Sequence, residues 1–278
     1  MPRIALGLEY DGSRYAGWQS QANASGIQTA VESALSFVAN HAVTLTSAGR
    51  TDAGVHASMQ VVHFDTSAER NERGWVMGAN SNLDDTISVL WARSVPDDFN
   101  ARYGAIARSY RYVILNRQPR PSLLRDRVCW VREPLNEQLM HQGGQHLIGE
   151  QDFSSYRAAE CQSSTPMRRL YRIDVTRHHE LVVIDVTANA FLHHMVRNIV
   201  GVLIEVGRGN QSTDWPLKVL QARNRSDGGI TAAAAGLYLF GVYYPDNLNL
   251  PSLPRDSAWP PGPAWPVFPI EPVRSSNV

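Results

Sequence analysis

The chain has 278 residues, of which 43% are hydrophobic, so we expect a globular protein of about two domains with substantial cores. It contains no run of about 18 apolar residues, and Met1-Pro2-Arg3-Ile4-Ala5 does not resemble a secretory signal, so we expect a cytoplasmic protein without a membrane partner. The two cysteines, Cys129 and Cys161, lie far apart, which argues against a disulfide framework, a zinc knuckle or an iron–sulfur cluster.

Charge is unevenly distributed along the chain, although 26 basic and 26 acidic residues give a formal net charge of zero. Eight arginines and one aspartate lie between residues 100 and 132, whereas seven acidic residues and three arginines lie between residues 65 and 98. The first stretch is compatible with a nucleic-acid partner, because binding to phosphates depends on local positive charge. Lys218 is the single lysine, and arginine is the side chain that forks onto phosphate and stacks on bases. Genomic base composition is the competing explanation for this excess of arginine.

The first half reads as a strand, a loop, a helix and two further strands. Apolar residues alternate over residues 4–10, which predicts a strand with one buried face. Residues 11–19 combine turn formers with aromatics that are suited to stacking on bases. Apolar residues then recur at helical spacing over residues 25–40, and strands are predicted near residues 59–64 and 87–94.

The second half begins similarly, with an alternation of apolar residues at Tyr110, Tyr112 and Ile114 that predicts a strand. The spacing of the apolar residues and the length of each segment then predict helices over residues 136–148 and 191–206. They also predict strands over residues 172–175, 181–186 and 237–243. The whole succession predicts an α+β protein of two similar α/β halves, with mixed, mainly antiparallel sheets flanked by helices.

Three regions are expected along the chain. We predict an N-terminal α/β subdomain over residues 1–105 and a C-terminal α/β subdomain over residues 106–245. Nine of the sixteen prolines lie from Pro245 onward, so residues 246–278 are predicted to form an extended or disordered tail. Aromatic residues in this tail could dock on the body or on a partner.

The most unusual segment is the loop from Ser47 to His56, in which Gly49 and Gly54 bracket Asp52. Such a loop lets the backbone come close to a ligand. Spacing alone also allows an Asx-turn at Asp52 or a surface pair of Asp52 with Arg50, so the pattern by itself does not assign a function.

This loop and several other segments resemble the tRNA pseudouridine synthase A family. The segment from Gly49 to His56 matches the signature of the family, and the other matching segments follow in the family's order. These are Tyr10-Asp11-Gly12, Gly17-Trp18-Gln19, Gln60 to Phe64, Tyr110-Arg111-Tyr112, Asp152-Phe153, Phe191 to Gly201 and Gly236 to Leu239. The resemblance covers roughly residues 3 to 245, and several motifs in one order make it specific.

The resemblance implies the roles of individual residues. Asp52 takes the position of the catalytic aspartate, as a nucleophile or a base. Tyr110 takes the position of the tyrosine that stacks on or contacts the target uracil, although a tyrosine in the core of a strand is the alternative. Arg197 is expected to form an ion pair with Asp52, although an arginine at an arbitrary position of a helix would usually be exposed to solvent. RNA contacts are expected from four residues: Arg50, Arg14, Trp18 and Arg111.

The resemblance also implies the pseudouridine synthase fold with a central RNA-binding cleft, a tRNA substrate and a homodimer. The reaction would convert uridine to pseudouridine at positions 38, 39 and 40 of the anticodon stem-loop, without a cofactor. The pairs His193-His194 and His178-His179 invite a metal site, but adjacent histidines on a helix point to different faces, so no metal is expected. The alternatives are an RNA-binding module that performs no chemistry and a nucleosidase that releases free uracil.

Overall fold

The computed structural model describes residues 1–20 and 25–251. Within these ranges, ten strands form one continuous sheet whose main path runs β4-β1-β3-β10-β5-β9-β8-β7, with β2 beside β3 and β6 beside β5. The strands are β1 (Arg3–Tyr10), β2 (Thr46–Ser47), β3 (His56–Asp65), β4 (Ile87–Val95), β5 (Ala107–Asn116), β6 (Cys129–Val131), β7 (Gly149–Asp152), β8 (Met167–His178), β9 (Leu181–Ala188) and β10 (Leu237–Tyr243).

Five α-helices accompany this sheet in the part of the chain that is described: α1 (Ile27–Ala39), α2 (Glu72–Asn80), α3 (Glu137–Gln145), α4 (Met195–Gly207) and α5 (Trp215–Ala222). The longest apolar faces belong to α1 and α4, which explains why their periodicity is visible in the sequence. Helices α2 and α5 were not predicted. Only Trp75 and Ala79 of α2 are buried, so its sequence carries little helical periodicity.

The pairing of strands confirms an α+β protein with a mixed, mainly antiparallel sheet. Parallel pairing occurs where β10 meets β3 and where β6 meets β5, and the remaining pairs of described strands are antiparallel. The two predicted halves share this one sheet, because β10 joins β3 of the first half to β5 of the second half. The boundary near residue 105 stays a prediction.

Two large apolar clusters lie against the helices, one in each half of the sheet. The first contains buried residues of β1, β3, β4, α1 and α2, and the second contains residues of β5, β8, β9, α3 and α4. The Tyr110 side chain packs against both clusters. This central strand therefore brings Tyr110 to the junction of the two halves.

The start of the predicted tail is folded onto the body. Residues Asp246–Leu248 form a 3-10 helix, and Leu248 and Leu250 pack against a cluster that includes Trp91 and Phe99. The prediction of an extended tail is therefore wrong for residues 246–251, because two leucines there find apolar partners. Residues 252–278, with the aromatics Trp259, Trp265 and Phe268, lie outside the described residues. No helix within the described ranges is long and apolar enough to cross a membrane.

Candidate active site

Asp52 lies in the loop between β2 and β3, and neighbouring groups fix the conformation of this loop. The hydroxyl of Thr51 lies 2.8 Å from that of Tyr10, and the Thr51 carbonyl accepts a 2.9 Å hydrogen bond from the amide of Trp18. The carbonyl of Asp52 itself accepts a 3.1 Å hydrogen bond from the amide of Val55, which closes a turn. The N-terminal loop therefore holds the loop that carries Asp52.

Two glycines permit this close contact between the loops. Gly17 has φ +104°, and a Cβ atom there would lie 2.7 Å from the Thr51 carbonyl oxygen. A Cβ atom at Gly12 would lie 1.9 Å from the Val55 carbonyl oxygen. Any side chain at either position would force the two loops apart, and at Gly17 it would also strain the backbone.

Three basic side chains approach the carboxylate of Asp52 within the described part of the chain. Arg197 Nη1 lies 3.4 Å from Oδ2, His193 Nε2 lies 3.3 Å from Oδ1, and His194 Nε2 lies 3.3 Å from Oδ2. The side chain of Asp52 is 25% exposed and that of Arg197 is 16% exposed. The carboxylate is thus half-buried among basic groups, and the predicted neighbourhood of Asp52 and Arg197 is present in the structure.

The two histidines reach Asp52 because helix α4 begins later than the sequence pattern suggests. His194 has φ 60° and precedes the first helical residue, Met195, so the two side chains do not follow helical directions. Their ring centroids lie 4.0 Å apart. Burial lowers the pKa of His194. The charge of Asp52 raises this pKa, whereas His193 and Arg197 lower it further. The expectation that these adjacent rings point to different faces of a helix is wrong.

Arg197 is held in place by a second contact besides Asp52. Its Nε donates a 2.8 Å hydrogen bond to the carbonyl of Ala232, in the segment that leads to β10. The position of the guanidinium therefore depends on α4 and on the approach to the last strand together.

Tyr110 lies half-buried on β5, with the ring of Phe191 packed edge-on against it at a centroid distance of 4.9 Å. Burial raises the pKa of the Tyr110 hydroxyl, and the charge of Asp52 raises it further. Tyr110 is therefore a neutral phenol at physiological pH. The predicted site residues Asp52, Arg197 and Tyr110 form one electrostatically connected group.

The four predicted RNA contacts do not share one environment. Arg50 is exposed two residues before Asp52, and Arg14 is exposed at the end of the 3-10 helix Gly12–Arg14. Arg14 borders two adjoining concavities of about 370 Å³ and 530 Å³, and Arg127 borders both as well. Neither concavity is lined by Asp52, and both are lined by acidic side chains as well as by arginines.

Arg111 and Trp18 are buried, so the prediction that they contact RNA is wrong. Arg111 is 1% exposed and makes hydrogen bonds of 2.7 Å and 2.8 Å to the Asp185 carboxylate. Strand alternation points its side chain to the face opposite Tyr110. Trp18 is 2% exposed and packs beside Tyr10 in the core of the first half. Both side chains stabilise the elements on which the site is built.

The geometry defines an α+β protein with a single loop carboxylate held among basic side chains beside a tyrosine. A family model described as tRNA pseudouridine synthase matches residues 8–104 and 144–245. A tRNA pseudouridine synthase A of Coxiella burnetii (strain Dugway 5J108-111) is 56% identical over 254 residues, covering 91% of this chain and 97% of that protein. The counterpart in Nitrosococcus oceani is 54% identical, with coverage of 91% and 98%, and that in Vibrio parahaemolyticus is 54% identical, with 91% and 96%.

The chain belongs to the tRNA pseudouridine synthase family. It is an enzyme of this kind, an isomerase that forms pseudouridine in tRNA. The crystal structure of a Cbf5-Nop10-Gar1 complex aligns with a TM-score of 0.32 and 11% identity, covering 72% of this chain and 45% of that chain. That similarity is too low to carry an argument.

Proposed function

We propose that this enzyme converts uridine to pseudouridine at positions 38, 39 and 40 of the tRNA anticodon stem-loop, with Asp52 as the catalytic group. The observation that carries the proposal is the convergence of Arg197, His193 and His194 on one half-buried carboxylate. Membership in the family supports the proposed reaction, and the resemblance of the motifs supports the proposed positions in tRNA.

The reaction needs no external reactant. The bond between the ribose and N1 of uracil breaks, the base turns, and a bond forms between the ribose and C5. The proton lost from C5 balances the proton gained at N1, so the product is an isomer. An ionised carboxylate can act in this sequence as a nucleophile or as a base, and the Arg197 guanidinium lies 3.4 Å from the Asp52 carboxylate.

Tyr110 is proposed to contact the target uracil. The ring lies at the junction of the two halves, and Phe191 supports it from the side. Because burial and the charge of Asp52 raise its pKa, the Tyr110 hydroxyl keeps its proton at neutral pH. It offers the extruded base an apolar face and one hydrogen-bond donor.

Arg50 and Arg14 are proposed to bind the RNA. Arg50 is exposed in the loop that carries Asp52, and Arg14 is exposed at the end of the 3-10 helix Gly12–Arg14, so both can form bidentate contacts with phosphates. A uridine in the anticodon arm must leave its stack to reach Asp52, and contacts of this kind offset the cost of that step. The enzyme is also proposed to work as a homodimer in the cytoplasm, since a tRNA is large compared with one chain.

The test is a nucleoside analysis of unmodified tRNA transcripts before and after incubation with the purified protein. Transcripts with uridine at positions 38, 39 or 40 are expected to gain pseudouridine there, whereas matched transcripts with cytidine at those positions are expected to gain none. Modification elsewhere would contradict the proposed positions. Tight binding without product would favour an RNA-binding module, and release of free uracil would favour a nucleosidase. Light scattering of the free protein checks the dimer.

A further inference from the structure

The side chains of His193 and His194 lie beside Asp52, but the proposed reaction assigns neither of them a chemical step. Each member of this group of three offers a ligand atom that metals prefer, one carboxylate oxygen and two imidazole nitrogens, and these atoms lie within 4.8 Å of one another. All three side chains are partly exposed, with exposed fractions of 25%, 37% and 27% in that order, so an ion from solution can reach them.

The distances within this group match those of a tetrahedral zinc site. With metal–ligand bonds near 2.1 Å, neighbouring ligand atoms of such a site lie about 3.4 Å apart. The two Nε2 atoms lie 3.3 Å from Oδ1 and 3.3 Å from Oδ2 of Asp52. Because these distances run to different oxygens, one edge of the coordination polyhedron is present for whichever oxygen binds the ion, and the remaining ligand atom lies within 4.8 Å of the other two.

We propose that Asp52, His193 and His194 bind a divalent transition-metal ion such as Zn²⁺, and that this ion inhibits the enzyme by occupying the Asp52 carboxylate. Two imidazoles and one carboxylate suit zinc, and a water molecule completes the fourth position. Mg²⁺ requires oxygen ligands in octahedral geometry, so it does not compete for this site.

Arg197 opposes this binding but does not prevent it. Its Nη1 lies 3.4 Å from Oδ2, so its positive charge weakens the attraction of a second cation. The guanidinium is anchored to the Ala232 carbonyl, and it can remain hydrogen-bonded to one carboxylate oxygen while the metal uses the other. Carboxylates that bind metals commonly accept such an outer hydrogen bond. We therefore expect reversible binding in the micromolar range and not a permanent structural ion.

Direct binding is measured by calorimetric titration of ZnCl₂ into the full-length chain, without RNA and in a buffer that does not chelate zinc. The double variant His193→Gln/His194→Gln and the single variant Asp52→Asn are expected to bind Zn²⁺ at least about tenfold more weakly. Removing a residue that only hydrogen-bonds to a metal ligand already lowers the affinity for the metal by that factor. The matched control is His178→Gln/His179→Gln, which removes another adjacent pair of exposed histidines. A second control, Cys161→Ser, removes a partly exposed thiol.

Both controls are expected to bind Zn²⁺ like the unaltered chain, and circular dichroism checks that each variant is folded. Equal zinc affinity in the unaltered chain and in the His193/His194 variant would overturn the site, and so would a loss of binding in Cys161→Ser. Failure of either kind concerns metal binding alone and leaves the proposed reaction untouched.

The inhibitory effect rests on the proposed catalytic role of Asp52, so it is measured separately. Pseudouridine formation by the unaltered chain is expected to fall in the range of zinc concentrations that saturates the calorimetric site, to recover when EDTA is added, and to be unaffected by equal Mg²⁺. Saturation of the site with zinc at full activity would overturn the inhibitory part of the proposal.

Discussion

The molecule contains two pairs of arginine and aspartate, one inside the second half and one between the two halves, that differ in how completely each carboxylate is bound. Asp185 faces Arg111 through two hydrogen bonds of 2.7 Å and 2.8 Å, and both side chains are almost fully buried. Asp52 faces Arg197 at 3.4 Å, with a quarter of its side chain exposed. The first pair is closed on all sides, whereas the second pair leaves room for another molecule.

The same two residue types therefore serve two purposes, one structural and one that requires access from solvent. The guanidinium of Arg111 also lies 4.3 Å from the centre of the Phe240 ring, so its planar group is packed as well as paired. Burial raises the pKa of Asp185, and the hydrogen bonds and charge of Arg111 oppose that shift. Nothing more can reach this carboxylate, so we interpret the pair as structural. The Asp52 pair keeps the exposure that a reaction requires.

The largest expected effect is that of Asp52→Asn on the reaction. The substitution keeps the size of the side chain and removes its charge, so turnover is expected to fall by about 10⁴-fold or more, equivalent to roughly 5 kcal/mol of transition-state stabilisation. Affinity for tRNA is expected to stay within about tenfold, or ~1.4 kcal/mol. Nucleoside analysis and a gel-shift titration measure the two quantities. Retained activity would disprove the catalytic role.

Arg111→Ala is expected to act on stability instead. It leaves Asp185 buried without its main partner, which costs about 3 to 5 kcal/mol of unfolding free energy. Urea unfolding measures the loss. The matched control is Arg117→Ala, which breaks an exposed pair with Glu180 and is expected to cost at most about 1 kcal/mol. Equal losses of unfolding free energy in the two variants would show that the buried pair contributes no more to stability than the exposed pair.

Arg197→Ala is expected to lower turnover by about 10²- to 10³-fold, the usual loss when one preorganised charged donor is removed. The control lies on the same helix: Arg208 caps the far end of α4 and pairs with Glu205 and Glu133. Arg208→Ala is expected to leave turnover unchanged. Single-turnover kinetics measure both, and equal losses would indicate damage to α4 rather than to the site.

The smallest effect is expected from shortening the chain. A protein of residues 1–251 retains both carboxylate pairs, so its turnover is expected to stay within about twofold of the full chain. A protein that ends at residue 245 loses Leu248 and Leu250 from their apolar cluster and is expected to be less stable by about 1 to 3 kcal/mol. A large loss of activity on removal of residues 252–278 would show that the functional core extends into the tail.

Much of the fold follows from periodicity, and most of the site follows from motifs. Strands β1 and β5 and helices α1 and α4 have strong apolar patterns and were predicted. The position of Arg197 near Asp52 also followed from the motifs. The sequence did not reveal that His193 and His194 turn toward Asp52, because that depends on a single left-handed residue before α4.

Other errors had simpler causes. Alternation along β5 places Arg111 on the face opposite Tyr110, so its separation from the Tyr110 side of the sheet could have been inferred from position alone. Trp18 lies in a loop, and loops are usually exposed, but this tryptophan packs into the core of the first half and its amide donates to the Thr51 carbonyl in the loop that carries Asp52. The joining of the halves into one sheet depends on the parallel pairing of β10 with β3, which links residues far apart in sequence.

The central place of β10 has a consequence for how the enzyme is made. Synthesis begins at the N-terminus, so the ribosome completes β1, β3 and β4, and later β5, β8 and β9, before the strand that bridges them exists. Until then Asp52 belongs to one unfinished sheet and Arg197 packs on the other. We therefore expect the nascent chain to be inactive toward tRNA until residue 243 has emerged and β10 has inserted between β3 and β5.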